Sequence, residues 1–245
     1  MSTSAAAPWP LLALPRRLRV VGLWRYPVKS LQGQLVRRLA LDERGVVGDR
    51  RLAVVDAATG AVLSAKREPR LLLARAQMER RGGVLLRLPD GRTMAADDPA
   101  ASALLSSWLG RDVRVDAAAS DAVAFADDAA VHVLTTASLR RSRAVYADGD
   151  WDPRRFRPTL LLDGPVEGFA EDAWPGRTLA VGAVRLGVVA PTVRCAMVAA
   201  AQPGLPADGA VLRTLARIHG SSLGVYAVVR RGGRVALGAS ATLEG

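Results

Sequence analysis

The sequence has little of several residue types that common functional sites require. It contains one cysteine, Cys195, and two histidines among 245 residues. A single thiol excludes an intrachain disulfide and the cysteine set of an ordinary iron–sulfur cluster, and two histidines are too few for a cysteine/histidine zinc cluster. Because scarce cysteine is typical of proteins in reducing compartments, we expect a cytoplasmic location.

Aromatic residues and lysine are also scarce. Phe, Trp and Tyr make up 4% of the chain, so stacking platforms for single-stranded nucleic acid are few, although the net charge of +11 favours polyanionic partners. A nucleic-acid binder, resting on charge alone, is therefore the least favoured function, and we expect no nucleic-acid partner. Lysine occurs twice, at Lys29 and Lys66, against 32 arginines. Because lysine is a compact point charge and arginine a planar fork, Lys29 indicates a position that needs the point charge, and the alternative is that the two lysines are placed by chance.

Long hydrophobic runs are absent. The apolar stretch 11–14 lies between Pro10 and Pro15, is too short to cross a membrane, and follows no basic region. We therefore expect no membrane span and no secretory signal, and we expect residues 1–16 to be poorly ordered.

Short strands separated by glycine turns predict a mainly β (α+β) fold with a few short helices. Strands are predicted over 71–79 and 194–198, among others. Three helices are predicted: one after the acidic pair at 97–98 that ends at Gly110, one capped by Thr135 or Thr136, and one from Asp208 to Gly220. An Ala- and Asp-rich connection over 116–129 divides the chain into 17–118 and 119–245.

Five short motifs follow one another along the chain. They are Tyr26-Pro27-Val28-Lys29-Ser30, Gly45-Val46-Val47-Gly48-Asp49-Arg50, Ser64-Ala65-Lys66-Arg67-Glu68-Pro69-Arg70-Leu71, Arg155-Phe156-Arg157-Pro158 and Val193-Arg194-Cys195. In this order they resemble the MOSC-domain family, with a MOSC N-terminal β-barrel lobe before a MOSC domain. The nearest resemblance is to the mitochondrial amidoxime-reducing components and their bacterial counterparts.

The resemblance implies a MOSC-type β-barrel core that holds a molybdenum cofactor, in its molybdopterin form, between two lobes. It places cofactor contacts at Lys29, Ser30, Arg50, Arg157 and Thr159, and it makes Cys195 the molybdenum ligand and catalytic residue. The residue types suit this chemistry, since a point charge and guanidinium forks bind phosphate, and a soft thiolate binds a metal that already carries dithiolene sulfur. The resemblance also implies the family's association with pyridoxal phosphate binding.

Each candidate also has a plainer interpretation. In that interpretation Ser30 would be an ordinary turn residue, Arg50 would form a surface ion pair with Asp49, and Cys195 would be a small buried hydrophobic residue. His132 is expected to be a packed histidine within a strand, and His219 a residue at a helix end, so neither is assigned a catalytic role.

The family's activity implies a reductase of N-hydroxylated and N-oxide compounds by oxygen-atom transfer, with a small N-hydroxylated substrate. Because the chain lacks the cysteine set of an iron–sulfur cluster, electrons are expected from a separate ferredoxin-like protein, flavoprotein or cytochrome. The basic surface suits an acidic donor. The alternative is a non-catalytic carrier or binding protein for molybdenum cofactor or its sulfur.

The sequence departs from the family pattern in three places. Thr159 replaces a usual asparagine, Val198 a usual threonine, and alanines follow Asp127-Asp128 where relatives carry hydroxyl residues. Two interpretations follow: the departures alter pterin contacts or substrate access, or they mark a protein that binds the cofactor weakly or has no reductase activity.

Overall fold

The computed structural model describes residues 17–80, 82–118, 125 and 129–244. The expectations for residues 1–16 and for Asp127 fall outside this range. In chain order the strands are β1 (Leu18–Arg25), β2 (Gln34–Leu35), β3 (Arg38–Asp42), β4 (Gly45–Val46), β5 (Leu52–Asp56), β6 (Arg75–Met78), β7 (Val84–Arg87), β8 (Thr93–Ala95), β9 (Val113–Ala117), β10 (Val131–Thr135), β11 (Leu160–Asp163), β12 (Thr178–Val181), β13 (Val184–Val193), β14 (Ser222–Arg231), β15 (Gly233–Ala236) and β16 (Ser240–Glu244). The helices are α1 (Ala101–Leu109), α2 (Thr136–Val145), α3 (Pro153–Phe156) and α4 (Gly209–His219), with short 3-10 helices at Pro69–Leu73, Ala170–Ala173 and Ala196–Ala199.

Seven strands of the described residues close a barrel in the order β11, β10, β14, β13, β12, β16 and β1, and β1 pairs back onto β11. The β10–β11 pair is parallel, and the chain between these two strands contains α2 and α3. Leucine and valine side chains fill the interior at alternate strand positions, as Leu18 and Val20 do in β1. The predicted mainly β fold with a barrel core is therefore confirmed.

The first half of the chain builds smaller sheets beside the barrel. β5 pairs with β9, and β6, β7 and β8 form a three-stranded sheet. A second apolar core lies between these sheets and α1, which contributes Leu105 and Leu109. A third sheet joins the two halves, because β15 from the end of the chain pairs with β3.

The three predicted helices are present, but α1 begins at Ala101 after the N-cap Ala100 and not directly at the acidic pair 97–98. α1 ends at Gly110, which adopts the left-handed φ of 62°. The Thr135 hydroxyl accepts the Ser138 N–H at the start of α2, and the Asp208 carboxylate accepts the Ala210 N–H at the start of α4. Leu215 of α4 packs with Leu134 and Phe156 in a third core that also contains Trp151.

One predicted strand is shorter in the structure than expected, and another is absent. Residues 69–73 form a 3-10 helix and the strand is limited to Arg75–Met78, because Pro69 fixes a helical φ in the first turn. The strand predicted over 194–198 is absent, since β13 ends at Val193 and a 3-10 helix follows. The last pair between β13 and β14 joins Val193 to Ser222, the first residue of β14, so no strand partner remains beyond it.

The division of the chain at residue 118 stays a prediction. β1 belongs to the same barrel as the strands of the second half, where it pairs with β11 and β16. Among the described residues, no helix is long and apolar enough to cross a membrane.

Candidate functional site

The loop after β1 brings Lys29 next to Arg50. Lys29 is half-buried, and its Nζ donates to the Phe125 carbonyl oxygen at 3.0 Å. The Phe125 N–H in turn donates to the carbonyl oxygen of Arg50 at 2.9 Å. The backbone of Phe125 therefore bonds to both of these cationic residues.

Ser30 lies in the same loop and is buried. Its φ of 67° is in the left-handed region, and its hydroxyl oxygen accepts the Ala65 N–H at 3.0 Å. The bond joins the first motif to the third, so Ser30 is more than an isolated turn residue. Its contact with a cofactor stays a prediction.

Two guanidinium groups stack on the ring of Tyr26. The Arg157 Cζ lies 4.2 Å from the ring centroid and the Arg50 Cζ lies 5.2 Å from it. Arg157 also donates from Nη1 to the Leu31 carbonyl oxygen at 2.7 Å. Residues more than a hundred positions apart in the chain thus meet around one aromatic ring.

The ion pair expected between Arg50 and Asp49 is present, but it does not lie on the surface. The two side chains are 15% and 7% exposed, and the Asp49 Oδ1 accepts the Tyr26 N–H at 2.5 Å. Asp49 therefore holds both the Arg50 side chain and the backbone of Tyr26.

Tyr26 is the residue that sequence reasoning missed. Its hydroxyl donates to the Pro158 carbonyl oxygen at 3.0 Å, and burial raises its pKa although the neighbouring arginines act in the opposite direction. The hydroxyl therefore stays protonated and keeps this bond. The available signal was its place at the head of the first motif.

Positive φ angles concentrate at the candidate site. Of the five non-glycine residues with positive φ in the described part of the chain, three are Ser30, Arg50 and Arg157. Left-handed backbone is unfavourable for these residue types, and such strain persists where the surroundings impose it, often at functional sites.

Cys195 follows the end of β13 and is exposed, which excludes the interpretation as a buried hydrophobe. The preceding Arg194 donates from Nη2 to the Phe156 carbonyl oxygen at 2.7 Å, while its buried Nε has no hydrogen-bond partner in the described part of the chain. Burial lowers the pKa of Arg194, and the electrostatic influence of Tyr226, Cys195 and Tyr26 opposes this shift.

We call Lys29, Arg50, Arg157 and Arg194 the cationic cluster. The contacts through Phe125 join Lys29 to Arg50, and those through Tyr26 join Arg50 to Arg157. Arg194 bonds to the carbonyl oxygen of Phe156, the residue before Arg157, and directly precedes Cys195. The structure thus brings four of the six predicted site residues into one connected region, with Ser30 directly beside it.

Thr159 and His132 are buried against each other. The Thr159 hydroxyl accepts the His132 N–H at 3.2 Å, and Thr159 is 1% exposed. The His132 ring contacts the carbonyl oxygens of Arg157 and Leu223, and burial, followed by the Arg194 charge, lowers its pKa to about 3. His132 is therefore a neutral packed histidine. The cofactor contact of Thr159 stays a prediction.

His219 is the last residue of α4, as expected from the sequence. Its Nδ1 contacts the Ser222 carbonyl oxygen at 2.8 Å, its Nε2 lies 2.6 Å from the Asp172 carboxylate, and its ring stacks on Phe169. These contacts attach the end of the helix to the 3-10 helix at 170–173, which is a structural role.

A fully buried arginine supports the chain beyond Cys195. Arg155 donates to the carbonyl oxygens of Asp150, Val198, Ala200 and Pro206, at distances from 2.7 to 3.4 Å. Val198, one of the departures from the family pattern, is 1% exposed and packs in the third core. Its side chain therefore contributes to core packing rather than to a solvent-accessible contact.

No group of three or more histidine, cysteine, aspartate or glutamate side chains that could hold a metal ion occurs in the described residues. A metal at this site would accordingly depend on Cys195 together with ligands from a cofactor.

Two family models match the sequence. The MOSC N-terminal beta barrel domain matches residues 17–136, and the MOSC domain matches residues 120–242, half of the chain. The chain belongs to the MOSC domain family. The MOSC domain includes Arg157, Thr159 and Cys195, whereas Lys29, Ser30 and Arg50 lie in the N-terminal match. No protein with a curated description matches the sequence.

Two solved structures are similar to this chain. The YUAD protein of Bacillus subtilis is 12% identical with a TM-score of 0.54, and the match covers 93% of this MOSC protein and 96% of that chain. YiiM of Escherichia coli is 12% identical with a TM-score of 0.44, over 94% of this chain and 71% of that one. The first of these likenesses supports the fold alone.

Proposed function

We propose that this MOSC protein binds molybdenum cofactor beside Cys195 and reduces N-hydroxylated compounds. The observation that carries the proposal is the cationic cluster, which is held around Tyr26 and connected through Arg194 to an exposed thiol. Membership of the MOSC family supports the cofactor, and the reductase activity is the finer step that the proposal adds.

The residues present fit an anionic, sulfur-bearing cofactor. The Nε of Arg194 is a buried donor without a partner, and an unsatisfied buried donor costs about 1–3 kcal/mol, which an anionic ligand would offset. Lys29 supplies a point charge for the terminal phosphate, and Arg50 and Arg157 supply planar forks. We assign further polar contacts to Ser30 and Thr159.

The cofactor, when bound, would supply the two-electron chemistry that removes oxygen from an N–O bond. Cys195 would hold the metal through its thiolate, since soft ligands suit a site that already carries sulfur. Its exposure leaves room for a small N-hydroxylated substrate. Electrons would come from a separate donor protein, and the net charge of +11 favours an acidic one.

Metal analysis of protein made in a cofactor-competent host tests the ligand assignment. We expect stoichiometric molybdenum in the wild type, and molybdenum that is lost or spectroscopically altered in Cys195→Ser. Val193→Ser is the matched control, because Val193 is 68% exposed, lies two residues away and has no proposed role. Equal molybdenum and an unchanged spectrum in Cys195→Ser would refute the assignment.

Turnover of an amidoxime or a hydroxylamine with an artificial electron donor tests the activity. Reduction that depends on Cys195 supports the reductase. Loaded protein without turnover favours the second candidate, a carrier of the cofactor or its sulfur, for which the exposed thiol of Cys195 is the supporting observation. A persulfide on Cys195, found by mass spectrometry of the intact chain, would identify the sulfur carrier.

A further inference from the structure

A row of polar residues crosses the small sheet of the first half, away from Cys195. Arg75 of β6 lies directly opposite Arg87 of β7, and Arg87 lies opposite Thr93 of β8. On its other side Arg75 pairs with Gln32 through an isolated parallel bridge. Directly paired residues on neighbouring strands project to the same face of a sheet. The two guanidinium groups therefore share one face with Gln32 and Thr93.

The arrangement of Arg75 and Arg87 is electrostatically unfavourable by itself. Like charges directly opposite each other destabilise an antiparallel pair. Both residues are exposed, and within the described residues neither forms an ion pair or a side-chain hydrogen bond. Other exposed arginines of this chain do have carboxylate partners, as Arg92 has Asp90 and Arg140 has Asp163.

The two arginines line a cleft of about 330 Å³. Its other lining residues are apolar, namely Leu73, Leu88, Pro89 and Pro203. A volume of this size accommodates a small molecule, and apolar walls with a few polar groups are typical of ligand sites.

A buried amide adjoins two lining residues of the cleft. The Gln202 Oε1 accepts from Gln32 Nε2 at 2.7 Å, while the Nε2 of Gln202 is buried and has no hydrogen-bond partner among the described residues. Gln202 precedes the lining residue Pro203 in the chain, and Gln32 pairs with the lining residue Arg75. An unsatisfied donor therefore lies one residue from the cleft lining.

We propose that this cleft binds the oxyanion of a small molecule, a carboxylate or a phosphate, between Arg75 and Arg87. Two guanidinium forks on one oxyanion make charge-assisted hydrogen bonds and remove the repulsion between the arginines. Gln202 supplies a further N–H donor, and the proline and leucine walls contact the carbon skeleton. This anion cleft shares no residue with the proposed cofactor site.

Calorimetric titration of the full chain tests the proposal with inorganic phosphate and with succinate as separate probes. In the double variant Arg75→Gln/Arg87→Gln we expect binding of at least one probe to weaken by at least about tenfold relative to wild type. The matched control is Arg38→Gln/Arg234→Gln, which removes the same charge from two exposed arginines of another sheet. We expect the control to bind as the wild type does.

Comparison of the variants separates this cleft from other anion sites. Phosphate bound at Lys29 would remain in both double variants, so only the difference in affinity between the two variants measures binding in the cleft. Loss of phosphate binding alone identifies a phosphate site, and loss of succinate binding alone identifies a carboxylate site. Equal weakening in both double variants, or none in either, would overturn the proposal.

A second variant keeps the result independent of folding in the double variant. Gln202→Leu preserves the volume of the side chain approximately and removes the unpartnered donor, and we expect it to weaken the same probe by several-fold. Wild-type affinity in Gln202→Leu, combined with wild-type affinity in Arg75→Gln/Arg87→Gln, would leave the cleft without a binding role and refute the inference.

Discussion

At the scale of single residues, Lys29 combines a buried contact with a charge. Its ammonium group donates to the Phe125 carbonyl oxygen at 3.0 Å, and that peptide also contacts the backbone of Arg50. A guanidinium is planar and larger than an ammonium, so it cannot reproduce a compact point charge in this space. The two lysines of the chain therefore provide a matched experiment.

We predict that Lys29→Arg weakens cofactor binding by about tenfold, equivalent to about 1.4 kcal/mol. Lys66→Arg is the control, since Lys66 is exposed and has no proposed contact with the cofactor. The measurement is the pterin released per chain, read by fluorescence after oxidation. Normal pterin content in Lys29→Arg would show that any cation suffices at this position.

His132 makes stability depend on pH. Its pKa in the folded chain is about 3, below the ordinary value of 6.5, because burial disfavours the charged ring. The folded state therefore binds fewer protons than the unfolded state between these values. Stability from the neutral ring is complete above pH 6.5 and is lost as the pH falls toward 3.

We predict that the free energy of unfolding of the wild type falls by up to about 1.4 kcal/mol per pH unit more steeply than that of His132→Asn in this acidic range. Urea unfolding from pH 7 to pH 4 measures both slopes. His219→Asn is the companion variant and should keep the slope that is due to His132. Parallel curves for wild type and His132→Asn would contradict this explanation.

At the scale of elements, Arg155 joins α3 to the chain that follows Cys195. Its side chain is fully buried and donates to four carbonyl oxygens, two of which belong to Val198 and Ala200. The 3-10 helix at 196–199 therefore depends on one guanidinium.

We predict that Arg155→Lys lowers the free energy of unfolding by about 3 kcal/mol or more, because a lysine ammonium cannot reach all four carbonyl oxygens and unsatisfied buried groups are costly. Arg154→Lys is the matched control, since Arg154 is 34% exposed at its side chain and pairs with Asp152. The control should change stability by about 0–1 kcal/mol. Equal effects in chemical denaturation would exclude the special role of Arg155.

At the scale of the whole molecule, the two halves of the sequence share one barrel. β1 comes from the start of the described chain, yet it closes the barrel between β11 and β16. β15, from the end of the chain, completes a sheet with β3. We therefore expect cooperative folding of the second half to require residues from the first.

We predict that a fragment of residues 119–245 lacks a cooperative thermal transition, because its barrel would be open at the position of β1 and expose unpaired strand edges. Production together with residues 1–118 should restore the transition, which circular dichroism would record. A cooperative, native-like transition in the isolated fragment would show instead that the second half is an independent domain, as the division at residue 118 predicts.

Local patterns predicted the parts of the fold that depend on local contacts. Glycine turns, helix caps at Thr135 and Asp208 and the stop at Gly110 all correspond to observed elements. The prediction of a strand over 194–198 was wrong. A strand needs a pairing partner, and β14, which pairs with Val193 at its first residue Ser222, offers no partner beyond that point. Pairing between distant segments is not visible in local periodicity.

The sequence by itself determined the strand-rich class, the helix ends, the single thiol and the order of the family motifs, since each of these depends on residue type and local spacing. Only the tertiary structure decided that Arg50 and Arg157 stack on Tyr26, that Cys195 is exposed and that Arg75 lies opposite Arg87. The physical reason is that these contacts join segments that closure of the barrel and pairing of the strands bring together, and neither process is encoded in a short stretch of chain.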